Sequence, residues 1–108
     1  MNRFLAVAVA LALAGTAHAA GNADAGKSKA AQLCAACHGA EGNKPVAPEN
    51  PILAGQHQDY LVKALKDYKA GKRSNAIMKG FAATLSSEDR EDLAAWFASQ
   101  KSNLYFQR

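Results

Sequence analysis

The sequence predicts a small all-α domain in which three main helices are joined by loops. Apolar residues recur at helical spacing in three segments, and no segment alternates apolar and polar residues as a strand would. Capping residues stand at the expected helix starts, while glycines and prolines fill the stretches between them. We therefore expect no strand and no internal repeat.

Residues 1–19 are predicted to be a secretory signal segment that is removed. Asn2 and Arg3 precede an unbroken apolar run, Phe4 to Ala14, and Ala17-His18-Ala19 has the small-residue pattern of a cleavage site. The run is too short to cross a membrane, and no second run follows. We therefore expect a chain exported to the periplasm, with no membrane span after processing.

The domain itself is expected to comprise residues 20–101. Cleavage leaves 89 residues with 39 hydrophobic ones, and 18 of these are alanine. A core this thin usually needs a metal, a disulfide or a cofactor to complete it, and it excludes two domains or a large enzyme fold. Residues 102–108 are set apart as a tag remnant or a native tail, because Asn103 to Gln107 resemble a protease site used in tag removal, with Ser102 in place of its usual Glu.

The charge of the chain is mildly basic. The net charge of +4 falls to +3 without Arg3, and there is neither an arginine-rich run nor a basic stretch interleaved with aromatics. Nucleic-acid binding is therefore not expected. The lysines suit either an acidic protein partner or an ordinary solvated surface.

The first helix is predicted from about Asp24 through Cys37, with Asn22 or Asp24 as its N-cap. Its apolar stripe begins at Gly26 and continues through Ala30, Leu33 and Cys37. A glycine inside a helix costs about 1 kcal/mol relative to alanine. We therefore expect another helix to approach closely at Gly26.

The other two helices follow a loop that runs from Gly39 to Gly55. One is predicted from about Gln58 to Ala70, with Gly71 after its end. The last is predicted from Ser86, with Asp89 as its capping-box partner, to about Gln100. Between them we expect a loop around Met78, with at most one helical turn near Phe81 to Thr84. The apolar faces of the two helices are Tyr60, Leu61, Ala64, Leu65 and Tyr68 in one, and Leu93, Trp96 and Phe97 in the other.

The two cysteines lie in the motif Cys34-Ala35-Ala36-Cys37-His38. In an exported chain this C-x-x-C-H pattern is the attachment motif of c-type haem. Two thiols three residues apart on a helical turn reach the two vinyl groups on one side of a porphyrin, and the adjacent imidazole lies under the iron. The sequence therefore predicts one covalently bound haem c, with Cys34, Cys37 and His38 as binding residues and His38 as an iron ligand.

Three other kinds of site also contain two cysteines at this spacing, and they are the alternatives to haem attachment. A disulfide between Cys34 and Cys37 would close a very short loop and stabilise little. A thioredoxin-like redox pair expects a βαβ context, which the surrounding sequence does not show. A zinc site needs four ligands, and His57 would have to join Cys34, Cys37 and His38 from a distant part of the chain.

A haem that only carries electrons needs a second ligand that stays on the iron, and Met78 is the expected one. It is the one methionine left after processing, forty residues beyond His38, in the polar stretch Lys72 to Gly80. Histidine and methionine together raise the reduction potential. Met78 as a core side chain is the alternative, and His57 is the competing ligand, although we expect His57 to cap or begin the second helix.

The chain resembles a single-haem class I cytochrome c, most closely the short bacterial cytochromes c553 and the halves of dihaem cytochrome c4. Four stretches between about Asp24 and Gln100 carry the resemblance: Cys34 to Asn43, Pro51 to Gln56, Tyr60 to Arg73, and Met78 to Ala98. The resemblance implies a small class I fold, with three main helices and loops wrapped around one covalently bound haem. Some relatives have two such domains in tandem, whereas this chain has one motif.

The same resemblance implies roles for further residues. Pro51 is similar to the proline whose carbonyl oxygen accepts a hydrogen bond from the proximal histidine, with Pro48 as the alternative, and Leu53 would pack on the haem face. The crossing of the first and last helices would bring Trp96 against Gly26. Candidates for bonds to the propionates, or for positions near the methionine sulfur, are Tyr60, Arg73 and Asn75.

The expected function is that of a periplasmic one-electron carrier rather than an enzyme, because two axial ligands leave no open site on the iron. It would shuttle between a respiratory donor complex and a terminal oxidase or reductase, as a monomer. The alternatives are a ligand-binding or peroxidase-like haem protein without methionine ligation, and a cytochrome module of a larger oxidoreductase. A face that meets redox partners is expected at Lys63, Lys66, Lys69, Lys72, Arg73 and Lys79.

Overall fold

The computed structural model describes residues 21–102, so the predicted signal segment and residues 103–108 of the tail lie outside the described residues. This part of the chain is all-helical, as predicted, and contains no strand. None of its helices is long and apolar enough to cross a membrane. The five helices are α1 (Ala23–Leu33), α2 (Ala35–His38), α3 (Gln58–Ala70), α4 (Ala76–Ala83) and α5 (Ser87–Ala98).

The first predicted helix is divided in two at Cys34. Asn22 is the N-cap of α1, and its side-chain oxygen accepts a hydrogen bond from the Ala25 backbone N–H at 3.0 Å. The single helix expected through Cys37 is wrong at one point, because Cys34 has a φ of −113°, away from helical values near −63°. Its carbonyl oxygen then accepts the N–H groups of both Cys37 and His38, which starts the single turn of α2.

Helices α3 and α5 begin where the sequence predicts. Gly71 closes α3 with a φ of +77°, a left-handed conformation that glycine adopts without cost. At α5, the Ser86 hydroxyl accepts the Asp89 N–H and the Asp89 carboxylate accepts the Ser86 N–H, each at 3.0 Å, which is a complete capping box. Helix α5 ends at Ala98, two residues before the expected Gln100.

The segment around Met78 is a helix, and the loop predicted there is wrong. Asn75 caps α4 through a 3.0 Å bond from the Met78 N–H to its side-chain oxygen. The helix then continues through Gly80 to Ala83. A short helix with a glycine inside it and polar residues before it gives little periodic signal, which is why the sequence pattern did not reveal it.

Helices α1 and α5 cross at Gly26, as predicted. A Cβ atom at Gly26 would overlap the backbone carbonyl of Asp92 and come within 3.0 Å of the Trp96 Cβ. The closest neighbour is therefore the α5 backbone. The indole Nε1 of Trp96 donates to the Ala40 carbonyl oxygen at 3.1 Å. The crossing thereby also holds the chain just after α2.

The buried apolar cluster lies between α1, α3 and α5. Apart from Phe97 it consists of alanine and leucine side chains, and Leu93 is the largest of the described side chains that is fully enclosed. The members of the cluster are Ala30, Leu61, Leu85, Leu93, Ala94 and Phe97.

Candidate haem site

A cavity of about 320 Å³ opens between α2, α3, α4 and the loop that follows α2. Its volume lies in the range of cofactor pockets, about 300–1,000 Å³. All nine predicted site residues line it, although they come from four separate parts of the sequence. These residues are Cys34, Cys37, His38, Pro51, Leu53, Tyr60, Arg73, Asn75 and Met78.

His38 is buried, with 6% of its surface exposed, and its ring is fixed by the backbone. Its Nδ1 lies 2.9 Å from the carbonyl oxygen of Pro51. A carbonyl oxygen only accepts, so this bond places the proton on Nδ1 and leaves the lone pair on Nε2. The geometry thus selects Pro51 over Pro48 and prepares His38 to bind a metal through Nε2.

The Pro51 segment is in turn held by Gly42. The Gly42 carbonyl oxygen accepts the N–H groups of Leu53 and Ala54, at 2.8 and 3.1 Å. Gly42 is buried with a φ of +75°, and a Cβ there would lie 2.7 Å from the ring of Phe97. The loop after α2 therefore folds back over the core and presents its proline to His38.

The two cysteines are free thiols that border the cavity from either end of one helical turn. Burial, with a smaller contribution from neighbouring Cys37, raises the pKa of the Cys34 thiol to about 11. Redox-active pairs need a lowered pKa, because the thiolate is the nucleophile. The environment of Cys34 therefore argues against a thioredoxin-like role.

Met78 reaches the cavity from the first turn of α4 and is half-buried. The Asn75 side-chain oxygen is occupied by the Met78 N–H, so Asn75 fixes the start of this turn. The competing histidine stands elsewhere: His57 is the exposed N-cap residue of α3 and does not line the cavity.

The remaining predicted residues occupy the rim and wall. Tyr60 is 50% exposed at the rim, and Leu53 is half-buried in the wall. The Arg73 guanidinium lies 4.6 Å from the centroid of the Tyr68 ring, an arrangement in which a cation is attracted by an aromatic face. Their roles toward a haem remain predictions.

Several residues that line the cavity were not among the predicted site residues. Asn50 donates through Nδ2 to the Cys37 carbonyl oxygen at 3.1 Å, a contact across thirteen positions that no local pattern marks. Phe81 follows Met78 by three positions, and helical spacing would have indicated it had α4 been recognised. Other lining residues that were not predicted include Glu49, Ile52, Gln56, Ile77 and Leu85.

The residues of this cavity fit a haem. The walls are mostly apolar side chains, and they enclose a buried imidazole, a thioether and two adjacent thiols. A zinc site is not supported, because no three His, Cys, Asp or Glu residues of residues 21–102 are grouped to hold a metal ion. The donor set instead matches thioether attachment and axial ligation of a porphyrin iron.

Half of the cations of the predicted basic face make contacts within the chain, although all five lysines are exposed. Lys63 pairs with the Asp67 carboxylate, and this hydrogen bond is the main cause that lowers the pKa of Asp67. The Lys69 ammonium donates to the Leu85 carbonyl oxygen at 2.8 Å, and Arg73 stacks on Tyr68. Three of the six predicted cations therefore have partners within the chain.

Known proteins share this sequence pattern. The sequence model of the cytochrome c family matches residues 23–101. Cytochrome c4 of Pseudomonas aeruginosa is 53% identical over 102 residues, which cover 94% of this chain and 50% of that protein. Cytochrome c-554(548) of Halomonas halodenitrificans is 42% identical over 85 residues, which cover 76% of this chain and all of that protein. The chain thus spans about half the length of its cytochrome c4 relatives.

A solved structure has the same fold. The crystal structure of reduced recombinant cytochrome c4 from Pseudomonas stutzeri superposes with a TM-score of 0.69 at 47% sequence identity. The match covers 76% of this chain and 47% of that one. This chain is therefore similar to one half of that protein.

Proposed function

The chain belongs to the cytochrome c family, and on that premise we propose that it is a periplasmic protein that carries single electrons between redox partners. The observation that carries the proposal is the placement of His38, fixed by the Pro51 carbonyl, in one cavity with Met78 and both cysteines. A haem c bound there supplies reversible one-electron chemistry. The protein supplies ligands, burial and orientation.

The attachment is assigned to Cys34 and Cys37. Each thiol adds to a vinyl group, its sulfur to one carbon and its hydrogen to the other, so the reaction needs no oxidant. Cys34 precedes α2 and Cys37 lies inside it, so both sulfurs belong to one turn. That turn also carries His38, so attachment of a haem there would place it beside the imidazole.

The axial ligands are assigned to His38 and Met78. The hydrogen bond from Nδ1 to Pro51 orients the ring and increases the electron density that Nε2 donates. The Met78 thioether is a soft ligand, which raises the reduction potential relative to a second histidine. His57 is not assigned, because it lies outside the cavity wall.

Leu53 is assigned to the haem face, and Tyr60, Arg73 and Asn75 to the propionate or methionine side of the site. Supporting this, all four line the cavity. Arg73 stacked on Tyr68 would present a fixed guanidinium to a carboxylate. Asn75 contributes by fixing the first turn of α4, which holds Met78.

The partner surface is assigned to the exposed cations around α3 and α4. The five lysines are exposed and Arg73 is half-buried, and Lys63, Lys69 and Arg73 also have partners within the chain. An acidic redox partner would be steered by the exposed lysines, with a rate that falls as salt rises. We place the domain at residues 20–101 after a signal segment, as a monomer.

The experiment is a spectrum of the purified holoprotein, oxidised and reduced, before and after acid–acetone extraction. We expect haem to stay attached and the iron to be low-spin. Met78→Ala is expected to abolish the low-spin His/Met spectrum and to lower the reduction potential by a large margin, while His57→Ala leaves both unchanged.

An oxidised Met78→Ala spectrum identical to that of the unmodified protein would refute Met78 ligation. A high-spin spectrum of the unmodified protein that changes readily with carbon monoxide would instead support the peroxidase-like or ligand-binding alternative. Co-purification with partner chains would support a module of a larger oxidoreductase.

A further inference from the structure

Helix α4 carries Met78 and contributes few residues to the buried core. Ala82 is its one buried residue among those described, and the helix packs mainly against α3. Its larger side chains, Ile77, Met78 and Phe81, line the haem cavity and do not belong to the buried cluster. Polar interactions also fix α4 to the rest of the domain.

Those interactions lie at the two ends of the helix. The Asn75 side chain caps the start, as described above. Beyond the end, the Leu85 carbonyl oxygen accepts two cationic donors: Lys69 Nζ from α3 at 2.8 Å and Arg90 Nη1 from α5 at 3.3 Å. Leu85 itself is buried, with 4% of its surface exposed. Side chains from α3 and α5 thus both donate to one backbone oxygen, that of Leu85, in the segment that follows α4.

The two donors are unequal. Arg90 is buried and also donates through Nη2 to the Ser87 hydroxyl at 3.1 Å, so it is committed to the first turn of α5. Lys69 makes the shorter bond and comes from the last turn of α3, the helix that forms the cavity wall. Its charge also lies near the carbonyl end of α4, where a cation is favoured by the helix dipole.

We propose that Lys69 is a positioning residue for Met78, acting through the Leu85 carbonyl to keep α4 against α3, an inference that rests on the ligation proposed above. Release of this contact would let α4 as a whole move away from α3, and the Met78 thioether would then no longer be held toward the haem iron. Lys69 is thereby assigned to maintaining the methionine ligand.

The test is the affinity of the oxidised holoprotein for imidazole, which binds to the iron only when the methionine has left. Lys69→Leu removes the ammonium group that donates to Leu85. The leucine that replaces it is apolar and favours the helix about as strongly as lysine does. Lys66→Leu is the matched control, since Lys66 is an exposed lysine of the same helix with no hydrogen bond or ion pair among the described residues. Lys69→Arg restores a cationic donor.

Loss of one net hydrogen bond corresponds to about a fivefold change in the opening equilibrium. We therefore expect imidazole to bind about fivefold more tightly to Lys69→Leu, and at the wild-type affinity to Lys66→Leu and Lys69→Arg. A residue that stabilised only the fold as a whole would lower the guanidinium midpoint and leave the imidazole affinity unchanged.

Equal imidazole affinities for Lys69→Leu and wild type overturn the inference, and so does an equal increase in Lys69→Leu and Lys66→Leu, which would show a general effect of charge. In both cases a low-spin spectrum of the wild-type protein would still support ligation of the iron by Met78. A high-spin wild-type spectrum overturns the ligation, and with it this inference.

Discussion

The packing of α1 on α5 can be tested by making the same substitution, glycine to alanine, at two helical glycines. Gly26 lies in α1 at its crossing with α5, whereas Gly80 lies in α4 with no atom within 4 Å of a Cβ built there. In a free helix, alanine is favoured over glycine by about 1 kcal/mol at either position. The two substitutions therefore differ only in what the new methyl group meets.

At Gly26 the methyl group meets the Asp92 carbonyl, a backbone atom that cannot rotate away. Overpacking of this kind costs about 1–3 kcal/mol, and a rigid obstacle favours the upper end. After the gain of about 1 kcal/mol from helix propensity, we expect Gly26→Ala to lower the free energy of unfolding by about 2 kcal/mol. For a domain of this size, that lowers Tm by about 8–16 °C.

Gly80→Ala is expected to do the opposite and raise Tm by about 4–8 °C, because only the propensity gain remains. The assay is guanidinium denaturation of the holoprotein followed by far-UV circular dichroism, with thermal melts alongside. Equal denaturant slopes for the three proteins would show that the change lies in the folded state.

A Gly26→Ala protein at least as stable as wild type would refute the reasoning about close approach. If Gly80→Ala were as destabilising as Gly26→Ala, both glycines would have to be needed for their backbone flexibility rather than for the helix crossing. A rise in stability for Gly80→Ala alone is the result that the structure requires.

Three further predictions concern the covalent attachment of the haem, the loop after α2 and the dependence of stability on pH. Replacing Cys34 and Cys37 together by alanine is expected to give a chain without covalent haem that does not fold, and a cooperative thermal transition would contradict this. Trp96→Phe removes the donor to Ala40 and is expected to cost about 1 kcal/mol in the free energy of unfolding; an unchanged guanidinium midpoint would count against that bond. Hydrogen bonding from Ser86 lowers the pKa of the Asp89 carboxyl group below its usual 3.8. The ionised carboxylate therefore stabilises the fold above pH 3.8, and this stabilisation is lost as the pH falls through the lowered pKa. Melts between pH 6 and pH 2 should accordingly show a steeper loss for wild type than for Asp89→Asn, and parallel curves would exclude this contribution.

The parts of the fold that the sequence predicted are those set by local chemistry. Helix α3 has the predicted bounds because Gly71 ends it in a left-handed conformation, and α5 starts at the predicted residue because Ser86 and Asp89 form a capping box. The division at Cys34 and the part of α4 before Phe81 were not predicted. A change in φ at one cysteine leaves the apolar spacing of α1 intact, and α4 owes its position to contacts made beyond its own segment.

The candidate site shows the same division between local and distant information. The motif from Cys34 to His38 marks its own chemistry, and Met78 was indicated because so few other ligands remain in the chain. Asn50 was missed since its bond to the Cys37 carbonyl depends on how a loop of thirteen positions folds back. The engagement of Lys63 and Lys69 within the chain was missed for a related reason, because helical spacing places lysines on a face without showing what their ammonium groups contact.

The thin core and the cavity are two aspects of one arrangement. Four of the six residues of the buried cluster, Leu61, Leu85, Leu93 and Phe97, also line the cavity. The apolar side chains of α3 and α5 therefore have one side against each other and the other toward the haem space, so a bound porphyrin would extend the core rather than occupy a separate pocket. The same residues would then serve both stability and electron transfer. A substitution at Leu61 or Leu93 should accordingly change the reduction potential together with the free energy of unfolding, whereas one at Ala30, buried on α1 and absent from the cavity wall, should change the unfolding free energy alone.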